Sequence, residues 1–127
     1  MIAVDTSALM AIVLDEPPAE ACVAALESGG ELLISAATVT EALIVSMGRN
    51  LQPQMVELLH RLDFNIVAVT GATALRVADA HSKWGRGMNP AALNFGDCFA
   101  YEIATTHECP LLYIGNDFSR TDVASVL

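Results

Sequence analysis

Four short apolar runs punctuate the chain: Ile2-Ala3-Val4, Leu32-Leu33-Ile34, Ile66-Val67-Ala68-Val69 and Leu111-Leu112-Tyr113-Ile114. Each reads as a short strand: the first a buried one ending at Asp5, the second apolar, the third a β-branched run and the fourth the last clear strand. Between them the apolar residues are spaced for helices. Ala8 to Leu14 reads as helical, Glu16-Pro17-Pro18 interrupts it, and a helix resumes from Pro18 to Glu27, with Ala21, Val23, Ala24 and Leu26 as its apolar positions. Gly29-Gly30 ends that helix. Ser35 to Thr38 opens the next, which runs to about Met47 with Gly48 as its stop. Pro53 begins another, in which Met55, Leu58, Leu59 and Leu62 share one face. Ala72 to Trp84 is helical, and Gly85 to Asn94 is a loop broken by Gly85, Gly87, Asn89 and Pro90. Phe95 to His107 is a helix, and a short helix near Thr121 to Val126 closes the chain. Short apolar strands alternating with helices predict an α/β fold whose parallel sheet is covered on both faces.

Length and composition narrow this picture. A chain of 127 residues fits one domain, and 54% hydrophobic residues with only 6% aromatic ones give it an aliphatic core. A net charge of −9 disfavours a simple nucleic-acid-binding module, whose affinity comes from neutralising phosphates. It leaves room for a nuclease that recruits metal cations, because a bound cation dominates its local field. Cys22, Cys98 and Cys109 are odd in number and form no Cys-x-x-Cys pair. The first apolar run has no basic region before it, and no run reaches the ~20 residues of a membrane span. A reduced, cytoplasmic protein with no membrane association is expected.

Four carboxylates occupy comparable places in this scheme. Asp5 ends the first strand, Glu41 lies in the first turns of the helix after the second, Asp97 lies in the first turn of the helix after the Gly/Pro loop, and Asp117 follows the last strand. The carboxyl ends of parallel strands share one edge of an α/β sheet, where ligands bind, so acids distant in sequence can converge there. Clustered carboxylates suit Mg²⁺, which takes oxygen ligands and assists phosphodiester cleavage. Local roles compete. Thr38-Val39-Thr40-Glu41 and Asn94-Phe95-Gly96-Asp97 both fit capping boxes, and Asp117 fits a turn after Gly115-Asn116. Asp5 is the hardest of the four to explain by a local role, because an acid directly after a buried strand is costly unless solvated, paired or metal-bound.

These residues also carry a resemblance. Ile2 to Ala8, Ser35 to Ala42, Leu93 to Tyr101, and Leu111 to Phe118 followed by Thr121-Asp122-Val123 resemble, in order, the four motifs of PIN domains. The nearest subgroup is the VapC-type toxin of bacterial type II toxin–antitoxin pairs. The resemblance implies a single PIN domain over residues 1–127, with a three-layer α/β/α fold and a short central parallel sheet. It implies a Mg²⁺- or Mn²⁺-dependent endoribonuclease acting on RNA, a homodimer, and a cognate VapB-type antitoxin. Asp5 and Asp97 match the principal metal ligands, and Glu41 and Asp117 match the remaining acids. Thr6 matches a supporting hydroxyl and Asn94 a polar helix-entry residue. Asp122 falls in the fourth motif as a rival to Asp117. Ile114 departs from the family by standing where relatives often carry a basic or small residue.

An acidic pocket attracts basic side chains as well as metal ions, so an antitoxin tail placing an Arg or Lys beside Asp5 and Asp97 is expected to silence the site. His60, His81 and His107 lack metal-ligand spacing. Arg86 is weighed as a phosphate guide and Trp84 as a base-stacking surface, against a solvated loop charge and a half-buried anchor. Ser7 lacks a partner for serine-hydrolase chemistry. A phosphatase with an aspartyl nucleophile wants an Asp where Ser7 stands, and a receiver wants a lysine after a late strand. The only lysine, Lys83, lies in a predicted helix. The remaining alternative is a catalytically inactive PIN-like fold that binds protein.

Overall fold

The computed structural model describes residues 1–127. In chain order its elements are β1 (Ile2–Val4), α1 (Thr6–Val13), α2 (Ala19–Glu27), β2 (Leu32–Ser35), α3 (Ala36–Gly48), α4 (Gln52–Arg61), β3 (Asn65–Val67), α5 (Gly71–Trp84), α6 (Phe95–Thr106) and β4 (Leu111–Leu112). The strands form one sheet in the order β3-β2-β1-β4, with every pairing parallel. Ala3 pairs with Leu33 on one side and with Leu111 on the other.

Side chains alternate between the two faces of a strand, so adjacent residues of each run enter different cores. Ala3, Leu33 and Leu111 pack with Val77 and Ala80 of α5 and Phe99 and Ile103 of α6. Val4, Leu32, Ile34 and Leu112 pack with Leu9 of α1, Cys22 and Leu26 of α2, Ala42 of α3 and Met55 of α4. Helices therefore cover both faces, giving the expected three-layer α/β/α arrangement. No helix is long and apolar enough to cross a membrane.

Four expectations need correction. The fourth apolar run forms a strand only over Leu111–Leu112, because its partner β1 gives way to α1 at Thr6 and leaves Tyr113 and Ile114 no strand to pair with. The third apolar run forms a strand only over Asn65–Val67, and Ile66 is 54% exposed. β3 is an edge strand, so its β-branched residues reflect strand geometry rather than burial. Gly48 does not stop α3 but lies within it, and the chain turns at Asn50, which takes a left-handed φ of 58°. The predicted helix near Thr121 to Val126 does not form. That segment runs extended beside β4, with Leu111 N–H donating to the Ala124 carbonyl at 2.8 Å and Val126 N–H to the Leu111 carbonyl at 3.1 Å. These bonds satisfy the outer edge of β4, which a helix there would leave open.

Candidate active site

β1 has β2 on one side and β4 on the other, so the direction of winding reverses beside it. The crevice at such a reversal, beyond the carboxyl ends of the strands, is where α/β sheets bind ligands. Asp5 leaves β1 at this point, and its amide donates to the Leu112 carbonyl at 3.0 Å, the last rung between β1 and β4.

Asp5 is the N-cap of α1 and is 4% exposed. Its Oδ2 accepts from the Ser7 amide at 3.0 Å and from the Ser7 hydroxyl at 2.6 Å. Burial raises its pKa to about 6 from an ordinary 3.8; Glu41 pushes the same way, and the Ser7 bonds pull down. Asp97 is 7% exposed and stands in the first turn of α6. It forms the expected capping box, with its amide donating to Asn94 Oδ1 at 2.8 Å and its Oδ2 accepting from the Asn94 amide at 3.0 Å. Burial carries the Asp97 pKa to about 7 against the pull of the Asn94 bond, helped by repulsion from Asp5, Asp117 and Glu41. The capping box uses Oδ2 of Asp97 and leaves its Oδ1 without a protein partner.

Glu41 has no capping role. The N-cap of α3 is Ser35, whose hydroxyl accepts from the Ala37 amide at 3.2 Å, so Glu41 lies in the second turn, too far along to cap. Its Oε1 accepts from the Thr6 hydroxyl at 2.5 Å. Its carboxylate also lies against Gly96 of α6, where a Cβ would fall 2.8 Å from the Glu41 carboxyl carbon. Glu41 and Asp97 are therefore neighbours across the α3–α6 contact. Asp117 sits in an exposed turn after β4, close enough to raise the pKa of Asp97.

Asp122 lies outside this group. Its Oδ1 accepts from the Tyr101 hydroxyl at 2.6 Å and its Oδ2 lies 3.6 Å from Lys83 Nζ. The Tyr101 bond holds the Asp122 pKa below its ordinary value, opposite to the shift at Asp5 and Asp97. Trp84 is an anchor, as its Nε1 donates to the Tyr101 hydroxyl at 2.9 Å. His107 Nδ1 lies 3.0 Å from the Ile103 carbonyl, a helix-end role. Ser7, set aside as a nucleophile, is the residue that sequence reasoning missed. A hydroxyl two positions after an N-cap carboxylate was the available signal.

The donor set is all carboxylate oxygen, which suits Mg²⁺ or Mn²⁺ over thiolate-seeking metals. Two of the four acids are buried, and burial together with neighbouring carboxylates raises their pKa values. In this structure no three acid, histidine or cysteine side chains gather tightly enough to hold a metal between them. A cavity of about 630 Å³ lies beside the site between α5 and α6, lined by Val69, Val77, His81, Phe95, Cys98 and Phe99. No carboxylate lines it, although Cys98 of its wall follows Asp97 directly in α6.

Residues 2–124 match the model of the PIN domain family. The chain is 41% identical over 126 residues to "Ribonuclease VapC30" of Mycobacterium tuberculosis, an alignment covering 97% of this chain and 96% of that protein. The fold is similar to the crystal structure of Mycobacterium tuberculosis VapC20, described as a sarcin–ricin-loop-cleaving toxin, with TM-score 0.78, 16% identity, and coverage of 99% and 98%. It is also similar to a chain of a toxin–antitoxin complex from Klebsiella pneumoniae, with TM-score 0.70, 19% identity, and coverage of 96% and 93%.

Proposed function

Because this chain belongs to the PIN-domain family and to its VapC ribonucleases, we propose that it is the toxin ribonuclease of a VapBC-type pair, cleaving RNA phosphodiester bonds at a Mg²⁺ or Mn²⁺ site made by Asp5, Glu41, Asp97 and Asp117. The observation that carries the site assignment is geometric: buried Asp5 stands where β1 ends beside β4, its neighbour Thr6 bonds Glu41, and the Glu41 carboxylate lies against Gly96, next to buried Asp97.

Asp5 and Asp97 would hold the metal, Glu41 and Asp117 would complete the donor set, and Thr6 and Asn94 would orient their neighbours. When bound, the cation supplies Lewis acidity for attack at phosphorus and positive charge for the departing oxygen. Asp5 and Asp97 would have to be ionised to hold it. The cation also offsets the repulsion between a −9 protein and the RNA backbone.

The remaining expectations extend this reading. Residues 1–127 form a single PIN domain, supported by the span of the family match. A VapB-type antitoxin silences the site with a basic side chain, a pairing supported by the complex from Klebsiella pneumoniae. Two copies pair through apolar helical surface, for which Leu75 of α5 and Phe95 of α6, 70% and 76% exposed, supply side chains. The protein works in the cytoplasm, where its RNA is.

The test is cleavage of single-stranded RNA by the purified protein. Cleavage should require Mg²⁺ or Mn²⁺, stop with chelator, and be lost in a folded Asp97→Asn variant. Cleavage that persists in chelator, or in that variant at the parent rate, overturns the metal mechanism. A folded protein that binds Mn²⁺ but cleaves no RNA points to the inactive, protein-binding alternative.

A further inference from the structure

The Ser7 hydroxyl makes two bonds that no local structural need explains. It donates to Asp5 Oδ2 at 2.6 Å and accepts from the Ile114 amide at 3.0 Å. The α1 N-terminus is already capped without it, because the Ser7 backbone amide reaches the same Oδ2 at 3.0 Å. Ile114 lies 107 residues away in sequence, just beyond β4 and three residues before Asp117. Regular pairing between β1 and β4 ends at Val4 and Leu112, with the Asp5 amide on the Leu112 carbonyl as the last rung. Past that rung, the Ser7 hydroxyl links the two diverging chains.

From this geometry we infer that Ser7 is a positioning residue of the acidic site, its hydroxyl fixing the Asp5 carboxylate and the Asp117 turn relative to each other. The inference rests on the proposed metal site and adds a residue to it. A hydroxyl has one proton. The Ile114 N–H can only donate, so it takes a lone pair of Ser7 Oγ and leaves the Ser7 proton for Asp5. The direction of the relay is therefore set: Ile114 N–H to Ser7 Oγ, and Ser7 O–H to Asp5 Oδ2. With two donors on Oδ2, Asp5 cannot swing without breaking both bonds, and its other oxygen is held in one orientation. At the far end, the bond at Ile114 fixes where the chain leaves β4 and so where Gly115-Asn116-Asp117 turns. Outer partners that orient metal-binding carboxylates do this kind of work in other sites.

The experiment measures Mn²⁺ affinity by electron paramagnetic resonance of the free ion, on full-length parent, Ser7→Ala, Ser7→Thr and Asp97→Asn proteins. Circular dichroism and thermal melts run in parallel. Ser7→Ala should weaken Mn²⁺ binding by about tenfold to a hundredfold while keeping the native spectrum. Ser7→Thr, which keeps the hydroxyl, should bind within a few-fold of the parent. The Asp117 amide resonance should move in Ser7→Ala and stay in place in Ser7→Thr. A folded Ser7→Ala protein with parental affinity overturns the inference and leaves the metal site standing, as does a Ser7→Thr protein as weak as Ser7→Ala. Parent and Asp97→Asn proteins that bind Mn²⁺ equally poorly overturn the metal site itself, and the inference with it. Should Ser7→Ala not fold, Ser7→Cys, which keeps the volume with a weaker donor, takes its place with the same expected loss.

Discussion

The hydroxyl of Thr6 donates to Glu41 Oε1 at 2.5 Å across 35 residues of sequence, joining the start of α1 to the second turn of α3. Thr6 is buried, so Glu41 is held from the protein side rather than by solvent. Thr6→Val keeps the shape and removes the donor. Glu41 should then lose its fixed orientation, and RNA cleavage should fall by about tenfold to a hundredfold with little change in melting temperature. Steady-state rates at saturating Mg²⁺ check this. An unchanged rate would mean that Glu41 does not need Thr6.

Gly96 gives a sharper separation of stability from activity. Glycine inside a helix ordinarily costs about 0.5–1 kcal/mol relative to alanine, so Gly→Ala there tends to stabilise. Here an added Cβ would press on the Glu41 carboxylate. That group is the end of a flexible side chain and can move aside without breaking the fold. Gly96→Ala should therefore melt at or above the parent temperature and cleave at least about tenfold more slowly. A variant that is equally active would show that Glu41 works from a position clear of Gly96.

Much of this was legible in the chain itself. Adjacent apolar residues such as Ala3 and Val4, or Leu111 and Leu112, announced strands buried on both faces, and the acids at strand exits followed from the parallel topology. The Asn94–Asp97 capping box was readable because both partners are local in sequence. The other supports were not. Ser7 to Ile114 and Glu41 to Gly96 join segments that only the folded sheet brings together. The C-terminal segment read as a helix because its edge pairing with β4 is tertiary, and the capping reading of Glu41 failed because Ser35 starts α3 three residues earlier than Thr38 would.

Asp122 belongs to a different structure, the chain of bonds from Trp84 through Tyr101 to Asp122. This fastens the segment after β4 onto α6 and α5. Tyr101→Phe leaves the Trp84 N–H without its partner and frees Asp122. It should cost about 1 kcal/mol of stability, seen as a melting shift of a few degrees, while metal-dependent cleavage well below the melting temperature is retained. Asp122→Asn should likewise still cleave. Loss of activity in a folded Asp122→Asn protein would return Asp122 to the site and displace Asp117.

The raised pKa values of Asp5 and Asp97, about 6 and about 7, set a pH dependence opposite to that of most paired carboxylates. In the unfolded chain both groups lose their protons near the ordinary value of 3.8. Between that pH and the folded values, the folded metal-free protein holds more protons than the unfolded one, so these two groups make stability fall as pH rises. The loss should be complete above the Asp97 value. Asp122, whose pKa is lowered, contributes in the other direction, with stability present above its ordinary value and lost only on acidification below it. In chelator, the parent should therefore melt several degrees higher at about pH 5 than at about pH 8. Asp97→Asn should flatten that slope and raise the melting temperature at the alkaline end, because it removes a buried charge and its repulsion from three neighbours. Saturating Mg²⁺ should reverse the parent's trend, since the cation binds only the ionised acids and stabilises most where they are already ionised. A metal-free melting temperature that climbs from about pH 5 to about pH 8, equally in parent and Asp97→Asn, would mean that these carboxylates are neither desolvated nor crowded in solution, and the cluster would lose its physical basis.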